Sequence, residues 1–112
     1  MSKLVRDKIP DLIMNDLHMA IQLRTAVDDK QFLYFLKEKL NEEVQEFQSA
    51  TVDCIVCDEK DVDHAMEELA DILEVLYTLT RVLGHGPETL MNINTKKRYE
   101  RGGFKKRYIL EQ

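Results

Sequence analysis

The sequence of 112 residues has few of the cysteines that mark small metal-binding or redox domains. Its two cysteines are Cys54 and Cys57, whereas a closed zinc site needs four ligands and only His64 lies nearby in the sequence. A thioredoxin-like role for this Cys-x-x-Cys pair would need a βαβ context, which the rest of the chain does not predict. We therefore interpret the cysteines as part of a loop, without a metal or redox role.

Long hydrophobic runs and an excess of positive charge are also missing. No apolar stretch approaches the roughly 20 residues of a membrane-spanning helix, and the first residues lack the apolar core of a secretory signal. The net charge of −5 argues against a general affinity for nucleic acid polymers, which bind basic surfaces. We expect one cytoplasmic domain spanning residues 1–112, with no membrane or nucleic acid partner.

The charges that are present are unevenly distributed along the chain. Acidic residues dominate the middle, whereas basic residues are concentrated near both ends, at Lys3, Arg6, Lys8, Lys96, Lys97, Arg98, Arg101, Lys105, Lys106 and Arg107. This separation would set basic ends over an acidic site, which suits a ligand that is both phosphorylated and bound to metal. Exposed lysines and arginines that only improve solubility explain the same distribution equally well.

Apolar residues recur three and four positions apart in two long segments, which is typical of α-helices. The segments are about 30–50, with Asp28 or Asp29 as N-cap, and about 62–83, with Asp61 as N-cap. The stretch between them breaks this period and predicts a loop that joins the two helices as an antiparallel hairpin. The sequence therefore predicts an all-α fold with this hairpin as its core.

The remaining predicted elements are shorter. A third helix is expected over about 87–101, because Gly86-Pro87 favours a helix start and Gly102-Gly103 favours a helix end. A brief helix is expected after the first proline. Short extended segments are predicted at the termini, where residues 104–110 can pair with residues 3–6 in a small ribbon.

The second long helix is apolar around well over half of its circumference. Its apolar residues include Leu69, Ile72, Leu73, Val75, Leu76, Leu79, Val82 and Leu83. A helix of this kind needs cover on most sides, and a short chain has few other helices to supply it. We therefore expect self-association into a helical bundle, as a homodimer or a homotetramer.

Two acidic pairs interrupt the apolar faces of the long helices. Helical spacing places Glu43 beside Glu46, and Glu68 beside Asp71. At roughly 100° per residue, Glu43 falls within the apolar stripe and Glu46 lies at its edge. Carboxylates buried together need positive charge, from Lys and Arg side chains or from a divalent cation, and oxygen ligands favour Mg²⁺ or Mn²⁺ over Zn²⁺. The alternative is that these acids lie on solvated helix faces.

The acidic pairs also carry a family resemblance. Glu42-Glu43-x-x-Glu46 followed by Glu67-Glu68-x-x-Asp71 resembles the signature of the MazG-like all-α nucleoside triphosphate pyrophosphatases. The ends of the chain are similar to those of small phosphoribosyl-ATP pyrophosphohydrolase-like members, at Lys3-Leu4-Val5-Arg6-Asp7-Lys8-Ile9-Pro10 and Arg101-Gly102-Gly103-Phe104. The resemblance covers both long helices and both ends, and leaves residues 17–28 and the cysteine loop without a match.

The resemblance implies a set of site residues. The Mg²⁺ ligands, with Mn²⁺ as the other candidate ion, would be Glu43, Glu46, Glu68 and Asp71. The phosphate contacts would be Arg6, Lys8, Lys39, Lys97 and Arg101. Glu42 is the candidate catalytic residue, because it could orient a water molecule, although its angle on the helix fits an exposed position equally well.

The implied reaction is Mg²⁺-dependent hydrolysis of a nucleoside triphosphate between its α and β phosphates, which gives a monophosphate and pyrophosphate. Its expected role is the removal of non-canonical or surplus nucleotides. Hydrolysis of phosphoribosyl-ATP and non-catalytic nucleotide binding in a regulatory protein are the alternatives. The base contact is harder to assign, because the aromatic candidates Phe32, Tyr34, Phe35 and Tyr77 have the helical spacing of ordinary core residues.

Overall fold

The computed structural model describes residues 2–51 and 59–111 and contains helices in both ranges. The elements are α1 (Ile9–Asp16), α2 (Asp29–Ala50), α3 (Glu59–Val82) and α4 (Pro87–Arg101). These described ranges contain no β-strand, so the predicted all-α fold class is confirmed. None of the described helices combines the length and the apolar character needed to cross a lipid bilayer.

The two long helices begin where acidic residues can stabilise a helix N-terminus. Asp28 is the N-cap of α2, and its side chain accepts a hydrogen bond of 2.8 Å from the backbone N–H of Gln31. Helix α3 begins at Glu59, earlier than predicted, so Asp61 lies within its first turn instead of capping it. Both Glu59 and Asp61 then interact favourably with the positive end of the helix dipole. The predicted loop residues 52–58, including the two cysteines, lie outside the described residues.

Helices α3 and α4 are joined by a short turn that fixes where α4 begins. Gly84 has a φ of 89°, a left-handed conformation that glycine adopts without strain. The N–H of Gly84 donates to the carbonyl of Arg81, and the N–H of His85 donates to the carbonyl of Thr80. This pattern is a Schellman motif, which ends α3 and satisfies its last carbonyls. Helix α4 then starts at Pro87, as predicted.

The predicted ribbon between the two ends of the chain is wrong. Residues 3–6 and 104–110 are both described, and neither forms a strand. Phe104 and Ile109 are 97% and 80% exposed, so the last segment buries little apolar surface against the rest of the chain. A two-stranded ribbon with nothing covering it is at best marginally stable in water, so extended segments at the two ends were not enough to form one.

The core lies between α2 and α3, which pack side by side in opposite directions. Leu36 of α2 is 1% exposed and is the most deeply buried large side chain among the described residues. Ala65 and Val75 of α3 are buried beside it. The outer face of α3 stays open, since Leu69 and Leu73 remain exposed. The predicted self-association would cover this face and stays a prediction.

Candidate metal and anion site

Three carboxylates meet where α2 and α3 pack together. Glu43 of α2 and Glu68 and Asp71 of α3 each place one oxygen within 4.8 Å of the other two. Glu68 and Asp71 share a face because residues three apart are neighbours on a helix, and Glu43 faces them from α2. Glu43 and Glu68 are 6% and 9% exposed, so both are buried as the apolar stripe predicted.

Two oxygens of this cluster lack a partner. Glu43 Oε2 and Glu68 Oε2 are buried, and neither accepts a hydrogen bond from the described part of the chain. A buried carboxylate oxygen without a partner is costly, because it has lost water and gained nothing in exchange. A cation bound between the carboxylates would remove this cost, and a set of oxygen ligands suits a hard divalent ion.

Burial raises the pKa of the Glu43 carboxyl, because the charged form is poorly solvated. Lys39 acts in the opposite direction through a hydrogen bond and its charge, while the negative charges of Glu46 and Asp71 raise the pKa further. Glu46 itself is exposed and lies outside the group of three converging carboxylates. Its role as a metal ligand therefore stays a prediction.

Two basic side chains neutralise part of the cluster. Arg6, in the segment before α1, places Nη2 2.7 Å from Oδ1 of Asp71. Lys39 places Nζ 3.3 Å from Oε1 of Glu43, one turn away on α2. Burial lowers the pKa of Lys39, but its interactions with Glu43 and Glu42 outweigh this effect and raise the pKa overall. Lys39 therefore stays positively charged at neutral pH.

Glu42 lies at the edge of the site between two lysines. Its carboxylate is 3.4 Å from Nζ of Lys39 and 3.6 Å from Nζ of Lys3. Glu42 is outside the group of three carboxylates and is only partly buried. On the α3 side, His64 Nε2 lies 3.7 Å from Oε1 of Glu68, so the outer edge of the cluster borders an imidazole.

A cavity of about 530 Å³ opens beside the carboxylates. It is lined by Leu4, Val5, Arg6, Asp7, Phe32, Leu36, Lys39, Glu43, Asp71, Glu74, Val75, Thr78 and Arg81. Its volume is within the usual range for a small-molecule site. Two helices and the N-terminal segment therefore enclose a space with carboxylates, basic side chains and apolar walls.

The structure brings some of the predicted phosphate contacts to this cavity and leaves others away from it. Arg6 and Lys39 line the cavity. Lys8 lies at the start of α1, and Lys97 and Arg101 lie on α4, all three exposed and none of them in the cavity lining. Within one copy of the chain, the site is therefore assembled without α4.

Three polar residues of α3 line the cavity although the sequence did not predict them as site residues: Glu74, Thr78 and Arg81. They follow Asp71 along α3 at steps of three and four residues, which keeps them on one helix face. Following this helix face further beyond the second acidic pair would have found Thr78 and Arg81. Phe32 is the only one of the four aromatic candidates that lines this cavity, whereas Phe35 packs edge-on against Tyr34.

The arrangement can hold a divalent cation at Glu43, Glu68 and Asp71 and an anion at Arg6 and Lys39 beside it. Metal-bound phosphate compounds have both of these charges in one ligand. Comparisons of the chain with protein-family models, with curated proteins and with solved structures give no match.

Proposed function

We propose that this protein is a Mg²⁺-dependent nucleoside triphosphate pyrophosphohydrolase that cleaves between the α and β phosphates. The buried, unpartnered oxygens of Glu43 and Glu68 support it most directly, because they need a cation, and Glu43 lines the same cavity as Arg6 and Lys39. The resemblance of the two acidic motifs to MazG-like pyrophosphatases supports the choice of reaction. Non-canonical or surplus nucleotides are the proposed substrates.

The residues of the chain divide into two groups in this proposal. Glu43, Glu68 and Asp71 hold the divalent ion, with Glu46 as the further candidate ligand one turn away on α2. The bound ion supplies charge neutralisation of the phosphates and a more acidic water molecule. Mg²⁺ is the proposed ion because all three converging groups are carboxylates, and Mn²⁺ accepts the same ligands.

The basic side chains position the phosphate chain. Arg6 contacts Asp71 and also lines the cavity, so its remaining N–H groups can donate to phosphate oxygens near the ion. Lys39 stays protonated beside Glu43 and adds a second positive charge. Glu42, held between Lys39 and Lys3, is the candidate for orienting the attacking water. Such hydrolysis depends on positioning and charge stabilisation more than on a covalent nucleophile.

Non-catalytic nucleotide binding is the second candidate function. The exposed position of Glu46 favours it, because a site with three converging carboxylates can bind a metal–nucleotide complex without completing the arrangement needed for hydrolysis. Phosphoribosyl-ATP is the alternative substrate, supported by the similarity of the two chain ends to that subgroup. Both alternatives use the same cavity.

The test is a pyrophosphate-release assay with Mg²⁺ and a panel of ribo- and deoxyribonucleoside triphosphates together with phosphoribosyl-ATP. We expect pyrophosphate and a monophosphate in equal amounts from at least one compound, and no release in EDTA. Glu68→Gln should abolish release, whereas Glu67→Gln, its exposed neighbour on α3, should preserve it. Mg²⁺-dependent binding without release would favour the regulatory alternative, and no Mg²⁺-dependent binding would contradict both.

A further inference from the structure

The cavity extends along the helix pair, well away from the carboxylates. Asp71 and Arg81 both line it, and they are ten residues apart on α3, which corresponds to about 15 Å at the rise of an α-helix. On α2, which runs in the opposite direction, Glu43 and Phe32 line the same cavity at a similar separation. The cavity therefore has an acidic end, at Glu43 and Asp71, and a distal end, at Phe32 and Arg81.

The distal end has a different chemistry from the acidic end. Phe32 gives the distal end an apolar surface, and Leu36 and Val75 continue this surface towards the acidic end. Arg81 forms no ion pair with any described residue, so its guanidinium is available to a ligand. Apolar walls with one guanidinium suit a flat ring whose edge carries hydrogen-bond acceptors.

A nucleotide has its parts in the order that this cavity requires. With its phosphates at the acidic end, the sugar would lie along the apolar wall and the base would reach Phe32 and Arg81. Arginine has donors only, and its most specific base contact is a pair of hydrogen bonds to O6 and N7 of guanine. Adenine presents an amino group in place of O6, so two donors would face each other.

We propose that the distal end of the cavity is a binding site for a 6-oxopurine base, recognised by Arg81. This inference rests on the proposed function, because the phosphates of the same ligand would occupy the acidic end. It narrows the substrate class to nucleoside triphosphates with a 6-oxopurine base, such as guanine, and it assigns a specificity role to Arg81, which lies outside the acidic motifs.

The experiment measures binding by isothermal titration calorimetry with Mg²⁺, so that it does not depend on turnover. The ligands are the α,β-methylene analogues of guanosine and adenosine triphosphate, which resist cleavage, and inorganic tripolyphosphate, which has no base. The variants are Arg81→Met and, as a matched control, Arg98→Met on the exposed α4. Circular dichroism and thermal unfolding check that each variant is folded.

We expect the unmodified protein to bind the guanosine analogue about tenfold or more tightly than the adenosine analogue. This is the discrimination between bases that one bidentate contact provides. Arg81→Met should remove this preference and leave tripolyphosphate binding within about twofold, since the phosphates bind at the other end. Arg98→Met should preserve both affinities and the preference.

Two results would overturn the base site while leaving the proposed function intact. One is equal affinity of the unmodified protein for both analogues. The other is a loss of tripolyphosphate binding in Arg81→Met as large as the loss of guanosine binding, because Arg81 would then be a phosphate contact. If the unmodified protein binds none of the three ligands with Mg²⁺, the proposed function fails, and the base site fails with it.

Discussion

Charged side chains are buried in the helix pair α2 and α3, whereas they are exposed in the C-terminal region from α4 onwards. The pair buries two glutamates, Glu43 and Glu68, alongside the apolar core. From residue 91 to residue 111 every described residue is exposed, including the aromatic ring of Tyr99. The acids of the pair are therefore in an environment that penalises their charge, whereas the bases of α4 keep their hydration.

This difference separates two kinds of functional candidate. A buried carboxylate without a partner requires an explanation, and a cation supplies one. An exposed lysine or arginine such as Lys97 requires none, because surface charges cost little and their ion pairs contribute little. Within one chain, the physical case for a site is therefore strong at α2 and α3 and absent at α4, although the motif resemblance covers both.

The largest expected effect compares the stability of the two regions. Leu36→Ala should lower the free energy of unfolding by about 2–5 kcal/mol, because it leaves a cavity in the core. Tyr99→Ala should change it by less than about 0.5 kcal/mol, since that ring is exposed. Urea denaturation measures both. A loss at Tyr99 comparable to that at Leu36 would mean that a second copy of the chain buries α4 in solution.

The next effect compares a buried acid with an exposed one on the same helix. With Mg²⁺ at 100 times its dissociation constant, binding should stabilise the folded protein by about 2.7 kcal/mol. Glu68→Gln should abolish this Mg²⁺-dependent rise in melting temperature, whereas Glu67→Gln should keep it. Thermal unfolding with Mg²⁺ and with EDTA measures the difference. An unchanged rise in Glu68→Gln would place the ion elsewhere.

A smaller effect concerns pH in the absence of metal. The pKa of Glu43 is raised in the folded state by burial, so this group favours folding most below its ordinary value of 4.5. Its contribution is lost as the pH rises through the raised pKa. In EDTA, the unmodified protein should therefore lose stability relative to Glu43→Gln as the pH rises above the ordinary value of 4.5. Denaturation curves at several pH values test this, and the opposite slope would contradict it.

The smallest effect is expected at α4. The double change Lys97→Met and Arg101→Met should alter Mg²⁺-nucleotide affinity by less than about twofold at physiological salt, because screening weakens distant charges. Calorimetric titration measures the affinity. A loss of tenfold or more would show that α4 of another copy reaches the cavity, and would then support both the predicted phosphate contacts and the predicted self-association.

Much of the fold could be predicted because helical periodicity is a local property. The spacing of apolar residues located α2 and α3 and placed Glu43 inside the buried stripe, and the glycine and proline signals located α4. Glu46 was placed at the edge of that stripe, where exposure depends on how α3 packs against α2. The sequence has no direct signal for this packing geometry. The structure leaves Glu46 exposed.

The cavity could be predicted only in part, because it depends on which segments cover the helix pair. Arg6 was singled out as a phosphate candidate, but its contact with Asp71 joins residues 65 positions apart. Arg81 was overlooked because it follows the apolar run near the end of α3, beyond the acidic motif. The prediction of the terminal ribbon failed because extended segments near the two ends do not show whether those ends meet or what would cover a ribbon.

Two ion pairs, Arg6 with Asp71 and Lys39 with Glu43, indicate the order in which folding and ion binding occur. These contacts give the chain counter-charges of its own, so its acids can be brought together before any ion arrives. Zinc fingers are the reverse case, in which the metal drives the chain to fold. We expect this protein to fold into its helices first and to bind the ion afterwards, when the ion replaces the contact of Arg6 with Asp71. A chelator should therefore remove the ion without unfolding the chain.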